Sequence, residues 1–183
     1  DIEMDLCGHA TLAAAFCIKE ILKDPSDKIV FETLSGKLIV TQSKGLLHLN
    51  LPSRKPVPSA LPNVVERALN IQPKEIFKSR DLFLVYNSQK EIEDIVINRQ
   101  EFDKIDLSPG GVIVTAEGEN HDFVSRYFTP QATILEDPVT GSAHCSLTPF
   151  WSDRLGRKNL VAKQLSERSG LLYCENKNDR VII

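Results

Sequence analysis

Two stretches of this chain bring ionisable residues up to a glycine turn that opens into an apolar run. One is Glu136-Asp137-Pro138-Val139-Thr140-Gly141-Ser142-Ala143-His144; its weaker echo is Glu3-Met4-Asp5-Leu6-Cys7-Gly8-His9-Ala10-Thr11. In each, acidic residues precede the glycine and a helix is predicted to follow it. The first turn of a helix leaves backbone N–H groups unpaired at the positive end of the helix dipole. A glycine there lets a small anion approach closely. The pattern predicts two anion-binding helix starts, with Gly8 and Gly141 as the turns and Cys7, Thr140 and Ser142 beside them.

His9, at the start of the first predicted helix, can transfer a proton near neutral pH if its surroundings are partly dry. The plainer reading is that it caps or packs. Asp137 is a candidate general acid or base, although an aspartate before a helix commonly serves only to complement the dipole. Cys7 aligns with Thr140 when the chain is laid on itself. A two-base thiol racemase needs cysteine in both slots, and a threonine hydroxyl does not ionise usefully at neutral pH, so thiol racemisation is disfavoured. Cys7 then reads as a small buried residue. His48, His121 and His144 are not at metal-ligand spacing with carboxylates, so no metal is expected, and His144 is predicted on a helix surface. Arg126 could pair a substrate carboxylate, hold Glu136 or Asp137, or face water. No dinucleotide or phosphate-loop glycine motif is present, so no nucleotide cofactor is implied.

The elements that must position these residues follow from periodicity. His9 to Leu22 is apolar on most of its surface, which predicts a helix buried almost all round. Ile29–Glu32, Lys37–Gln42 and Leu46–Leu51 alternate as an antiparallel meander, with turns at Ser35-Gly36 and Ser43-Lys44-Gly45. The proline-rich segment Leu51–Pro62 marks a boundary. Beyond it, Asn63–Leu69 and Gln100–Ile105 read as short helices and Ile71–Phe77 as a further turn of helix, while Glu91–Val96 is ambiguous. Strands are predicted at Leu82–Tyr86, Val112–Ala116 and Phe123–Thr129. A second apolar helix spans Ser142–Leu155, with Pro149 expected to kink it or mark a false start. Leu160–Leu165, Leu171–Glu175 and Arg180–Ile183 complete the strands. Turn, buried helix, strand, Ser/Gly turn and strand thus occur twice. A repeat of this length predicts two similar lobes, residues 1–54 and 55–183, with a ligand cleft between them.

The formal charge of −3 and the lack of like-charge runs argue against a nucleic-acid surface. The longest wholly apolar run, Leu12 to Ile18, is too short to cross a bilayer, and no signal core is evident, so a membrane partner is not expected and a cytoplasmic location is. Cys7, Cys17, Cys145 and Cys174 are scattered, which predicts reduced thiols. A start without methionine and a close on Arg180-Val181-Ile182-Ile183 read as a fragment, truncated at both ends.

Three motifs together, Asp5-Leu6-Cys7-Gly8-His9-Ala10-Thr11-Leu12, Ser125-Arg126-Tyr127-Phe128-Thr129-Pro130 and the stretch from Glu136 to His144, resemble the phenazine biosynthesis-like (PhzF) family, kin in fold to diaminopimelate epimerase. The resemblance implies an α+β fold of two pseudo-symmetric lobes, each a central helix wrapped by a barrel-like antiparallel sheet. It implies a cofactor-independent isomerase that moves a proton on a small carboxylate-bearing metabolite. His9 and Asp137 match its acid/base or substrate-holding positions, and Gly8, Gly141 and Ser142 match its carboxylate-binding turns. Its principal proton shuttle is a glutamate in an upstream motif, to which Glu3 does not correspond. The alternative is a non-catalytic binding protein that keeps the two-lobed fold. Uncapped sheet edges make a homodimer a reasonable expectation.

Overall fold

The computed structural model describes residues 4–107 and 110–183, so Glu3 lies outside the described part. Gly8–Phe16 forms α1, which runs on into one π-helical turn, Cys17–Ile21. β1 (Lys28–Thr33), β2 (Gly36–Ser43) and β3 (Leu46–Pro52) follow as the expected antiparallel meander. Lys44 and Gly45 both take positive φ, 50° and 78°, the geometry of a two-residue hairpin turn whose twist suits its strands. Next come β4 (Val57–Pro58), α2 (Asn63–Ala68), β5 (Glu75–Lys78), β6 (Leu82–Val85), α3 (Gln89–Glu93), α4 (Arg99–Phe102), β7 (Val112–Glu117) and β8 (Phe123–Phe128). α5 (His144–Leu155) then leads into β9 (Asn159–Gln164), β10 (Gly170–Asn176) and β11 (Arg180–Ile182).

Among the described residues the strands form one sheet of eleven, in the order β1-β2-β3-β11-β10-β9-β8-β7-β6-β5-β4. The fold is α+β, but the sheet is mixed where only antiparallel pairing is expected from the sequence: β6–β7 and β8–β9 are parallel. Parallel neighbours need a crossover, supplied here by the α3–α4 segment and by α5. α1 is followed by β1–β3, and α5 by β9–β11. The two triplets meet where β3 pairs with β11 through Leu51 and Val181. The repeat read from the sequence is therefore a helix and three strands, used twice and joined at the last strand of each.

The two helices differ in burial. α5 is buried from His144 to Ser152, with Trp151 stacked on Phe123 at 5.8 Å between ring centres. α1 is not buried all round. Leu12 and Ala15 face Leu38, Val40, Leu49 and Leu51, while Phe16, Ile21 and Leu22 are 51%, 67% and 73% exposed. Among the described residues one sheet face covers α1, so apolar content overstates its burial. Ile71–Phe77 also departs from expectation, because Glu75–Lys78 is strand β5. Phe77 lies opposite Phe83 and meets the rings of Phe83 and Phe150 edge-on at 6.2 and 5.1 Å, a cross-strand contact that outweighs local preference. The ambiguous Glu91–Val96 segment falls at the end of α3.

Pro149 neither breaks nor falsely starts α5. Proline cannot donate to the carbonyl four residues back, and the backbone N–H of Arg54 takes that place, reaching the Cys145 oxygen at 2.8 Å. The helix ends at Gly156, a left-handed cap with φ 65°.

His144 is fully buried rather than on a helix surface. Its Nδ1 donates to the Thr140 carbonyl at 2.9 Å, while Nε2 has no partner among the described residues. Burial pushes its pKa down to about 4, against the smaller opposing effect of that carbonyl. The unfolded chain takes up this proton near the ordinary 6.5, so the contribution of His144 is complete above that pH and is lost as pH falls toward about 4. Denaturant unfolding across this window should show a loss of about 3 kcal/mol from this group. His144→Asn should be less stable than the parent at pH 7, yet flatter in its pH dependence between pH 6.5 and 4.

Candidate active site

The starts of α1 and α5 meet. A Cβ placed on Gly8 would lie 3.2 Å from the Gly141 Cα, and one on Gly141 would lie 3.4 Å from the Gly8 Cα, so the two backbones touch with no room for a side chain between them. Cys7 is the N-cap of α1, with extended backbone and no capping hydrogen bond from its side chain. The Gly8, His9 and Ala10 amides have no acceptor among the described residues, nor do those of Gly141, Ser142 and Ala143. At the second start, His144 and Cys145 donate three residues back, to the Gly141 and Ser142 carbonyls, a tight first turn that leaves the preceding amides free.

A cavity of about 380 Å³ opens over this contact, lined by Cys7, Gly8, His9, Asp137, Thr140, Gly141 and Ser142, with Met4, Leu6 and Ile134 as its apolar wall. A second, of about 410 Å³, shares Gly8, His9, Asp137 and Gly141 and reaches Arg168, which has no hydrogen-bond or ion-pair partner among the described residues. All seven residues singled out from the sequence therefore line one cavity. His9 is exposed, with its Nε2 3.6 Å from the Cys7 sulfur. Cys7 is half-buried and at the cavity wall, rather than buried as expected.

Asp137 is held by a buried frame. Its Oδ2 accepts from the Thr140 hydroxyl at 2.6 Å, and its N–H donates to the Tyr127 carbonyl at 3.0 Å. Gln164 on β9 completes the frame, its amide donating to the Asp137 carbonyl at 2.7 Å and accepting from the Thr140 N–H at 2.8 Å. Ser166 donates to the Pro138 carbonyl at 2.6 Å. A carboxylate fixed through both its turn and its own oxygen keeps one direction toward the cavity, which acid/base work requires. The role of Thr140 is thus to orient Asp137.

Arg126 takes the second of its three readings. It forms a bidentate pair with Glu136 at 2.7 and 2.8 Å and donates to the Ile92 and Ile95 carbonyls. Sequence reasoning misses the polar floor of the cavity. Asp5, Arg54, Arg80, Asp81 and Tyr127 form a buried network there, in which Asp81 Oδ1 accepts from Arg80, from the Tyr127 hydroxyl at 2.9 Å and from the Gly111 N–H at 2.9 Å. Burial drives the Asp5 carboxyl upward, but the Arg54 hydrogen bond, the Arg80 charge and the Ser35 hydroxyl together hold it below its ordinary value. Burial and the Asp81 charge raise the Tyr127 phenol far above its ordinary range. The adjacent charges of Arg80 and Asp81, ahead of the wholly apolar run of β6, were the available signal. Among the described residues no cluster of His, Cys, Asp or Glu is placed to hold a metal ion, and no helix is long and apolar enough to cross a membrane.

The phenazine biosynthesis-like protein family (PhzC-PhzF) matches residues 1–182. An "uncharacterized isomerase" of Pseudomonas aeruginosa is 41% identical over the whole of this chain and 70% of its own length. A crystal structure of a PhzF-family phenazine biosynthesis protein from Enterococcus faecalis superposes with a TM-score of 0.88 at 42% identity, over 99% of this chain and 69% of that one. A phenazine biosynthesis PhzC/PhzF protein from Clostridium difficile gives 0.87 at 43% identity, over 100% and 70%. On these matches, the chain belongs to the phenazine biosynthesis-like PhzC-PhzF family.

Proposed function

We infer that the chain acts as an isomerase, as its relatives are named, and that it moves a proton on a small carboxylate-bearing metabolite without a cofactor. One observation carries this reading: the backbone contact of Gly8 with Gly141, which turns two sets of free helix-start amides toward a cavity that also holds His9 and Asp137. The substrate carboxylate sits against those amides, where fixed dipoles stabilise negative charge at no cost of reorganisation. The same dipoles favour the enolate-like charge that develops when a proton leaves carbon. Asp137, oriented by Thr140 and Gln164, and His9, beside Cys7, assist the transfer that the resemblance assigns to the family's upstream glutamate. In this reading each helix with its three strands is the core of one lobe, divided near residues 54 and 55, and the cavity lies where the lobes meet.

Solvent-deuterium incorporation into small carboxylates bearing an acidic C–H is the direct test. Asp137→Ala and His9→Ala should each slow exchange by about 10²-fold or more; exchange at the parent rate in both variants would remove these residues from the mechanism. The glycine contact gives a second test. Gly8→Val places a branched side chain against the Gly141 backbone, where a single Cβ is already at 3.2 Å. It should cost about 1–3 kcal/mol in denaturant unfolding and abolish exchange even where the variant is folded, whereas Val96→Ala, at an exposed position away from the cavity, should leave exchange unchanged.

A further inference from the structure

Arg80 lies at the cavity floor with only 10% of its side chain exposed. Its Nη1 donates to Asp5 Oδ1 at 2.8 Å, its Nη2 to Asp81 Oδ1 at 3.1 Å, to the Tyr127 hydroxyl at 3.2 Å and to Ser142 Oγ at 3.3 Å, and its Nε to Asp81 Oδ1 at 3.3 Å. A guanidinium has donors and no lone pair to offer, so each hydroxyl it touches can only accept from it. Each hydroxyl then has one proton to send elsewhere. That of Tyr127 goes to Asp81 at 2.9 Å. That of Ser142 has no acceptor among the described residues, and Ser142 lines the cavity.

We propose that Arg80 is a positioning residue that holds Ser142 as a hydrogen-bond donor to the substrate's anionic group, and that it ties this donor to the start of α1 through Asp5. The proposal rests on the reading of the cavity as a carboxylate site. Arg80 engages one lone pair of the Ser142 oxygen, and the hydroxyl proton, with no acceptor among the described residues, is left for a group in the cavity that Ser142 lines. The same guanidinium links Asp5, three residues before Gly8, to Ser142, one residue after Gly141, so the donor and both glycine turns share one rigid support.

Benzoate serves as the carboxylate probe, because the cavity sets an apolar wall beside its polar edge. Titrations of the full chain, followed by the amide resonances of Gly8 and Gly141, are compared for the parent, Ser142→Ala, Arg80→Lys and the double variant, with a thermal midpoint for each. Ser142→Ala is expected to weaken benzoate about tenfold, the effect of losing one hydrogen bond to a charged group. Arg80→Lys keeps the charge but loses the planar fork, and should weaken it by a similar factor. The double variant should bind as Ser142→Ala does, because Arg80 acts through that hydroxyl. Asp5→Asn, which loosens the far end of Arg80, is read in the same way should Arg80→Lys fail to fold. Losses that multiply, or parent affinity in both Arg80→Lys and Asp5→Asn, would overturn the proposal while leaving the carboxylate site intact. Parent protein whose Gly8 and Gly141 amides ignore benzoate would overturn the site itself, and this role for Arg80 with it.

Discussion

Gly8 and Gly141 hold two helix starts in van der Waals contact, and this brings together two positive dipole ends. Like ends repel, so the arrangement is unfavourable until something negative lies between or over them. The chain places Asp137 at the rim and leaves the amides of both first turns unpaired among the described residues. The geometry is therefore electrostatically incomplete in one sense only: it favours an anion. Glycine is required at both positions for a steric reason, since neither has the positive φ that would demand it for conformation.

The network beneath that contact does not owe its place to stability. Asp5, Arg80 and Asp81 are largely withdrawn from water, and the desolvation of buried charges offsets much of their mutual attraction. What such a network provides is register. Asp5 precedes α1, Asp81 precedes β6, Tyr127 is on β8 and Ser142 precedes α5, so one guanidinium fixes four separate segments at once. An apolar core packed in its place could be as stable, but it would tolerate small slips that change where the free amides point.

The sequence made local features legible and concealed the distant ones. Turns, meander strands and the seven cavity residues follow from short-range pattern, because a helix start or a period-two strand is written within a few residues. Arg80 is 75 residues from Asp5 and 62 from Ser142, and no local rule connects them. Gln164 looks like an ordinary polar position on a strand, yet its side chain is the brace of the Asp137 turn. α1 shows the opposite failure. Its composition allows burial on every side, but composition cannot state how many of those sides meet a partner. His144 misleads in a similar way, since a polar residue in the first turn of an apolar helix need not face water when a carbonyl in the preceding turn accepts its proton.

Pro149 shows how a local irregularity becomes a long-range constraint. By removing one helix donor it leaves the Cys145 carbonyl open, and only a group from another segment can satisfy it in a buried setting. The Arg54 N–H does so at 2.8 Å, while the Arg54 guanidinium donates to Asp5 at 2.7 Å. One residue, placed just after β3, thus holds α5 by its backbone and the approach to α1 by its side chain. A residue with an N–H at position 149 would satisfy that carbonyl within the helix and drop the link. The proline that looks least compatible with α5 is accordingly part of what keeps the two helix starts facing each other.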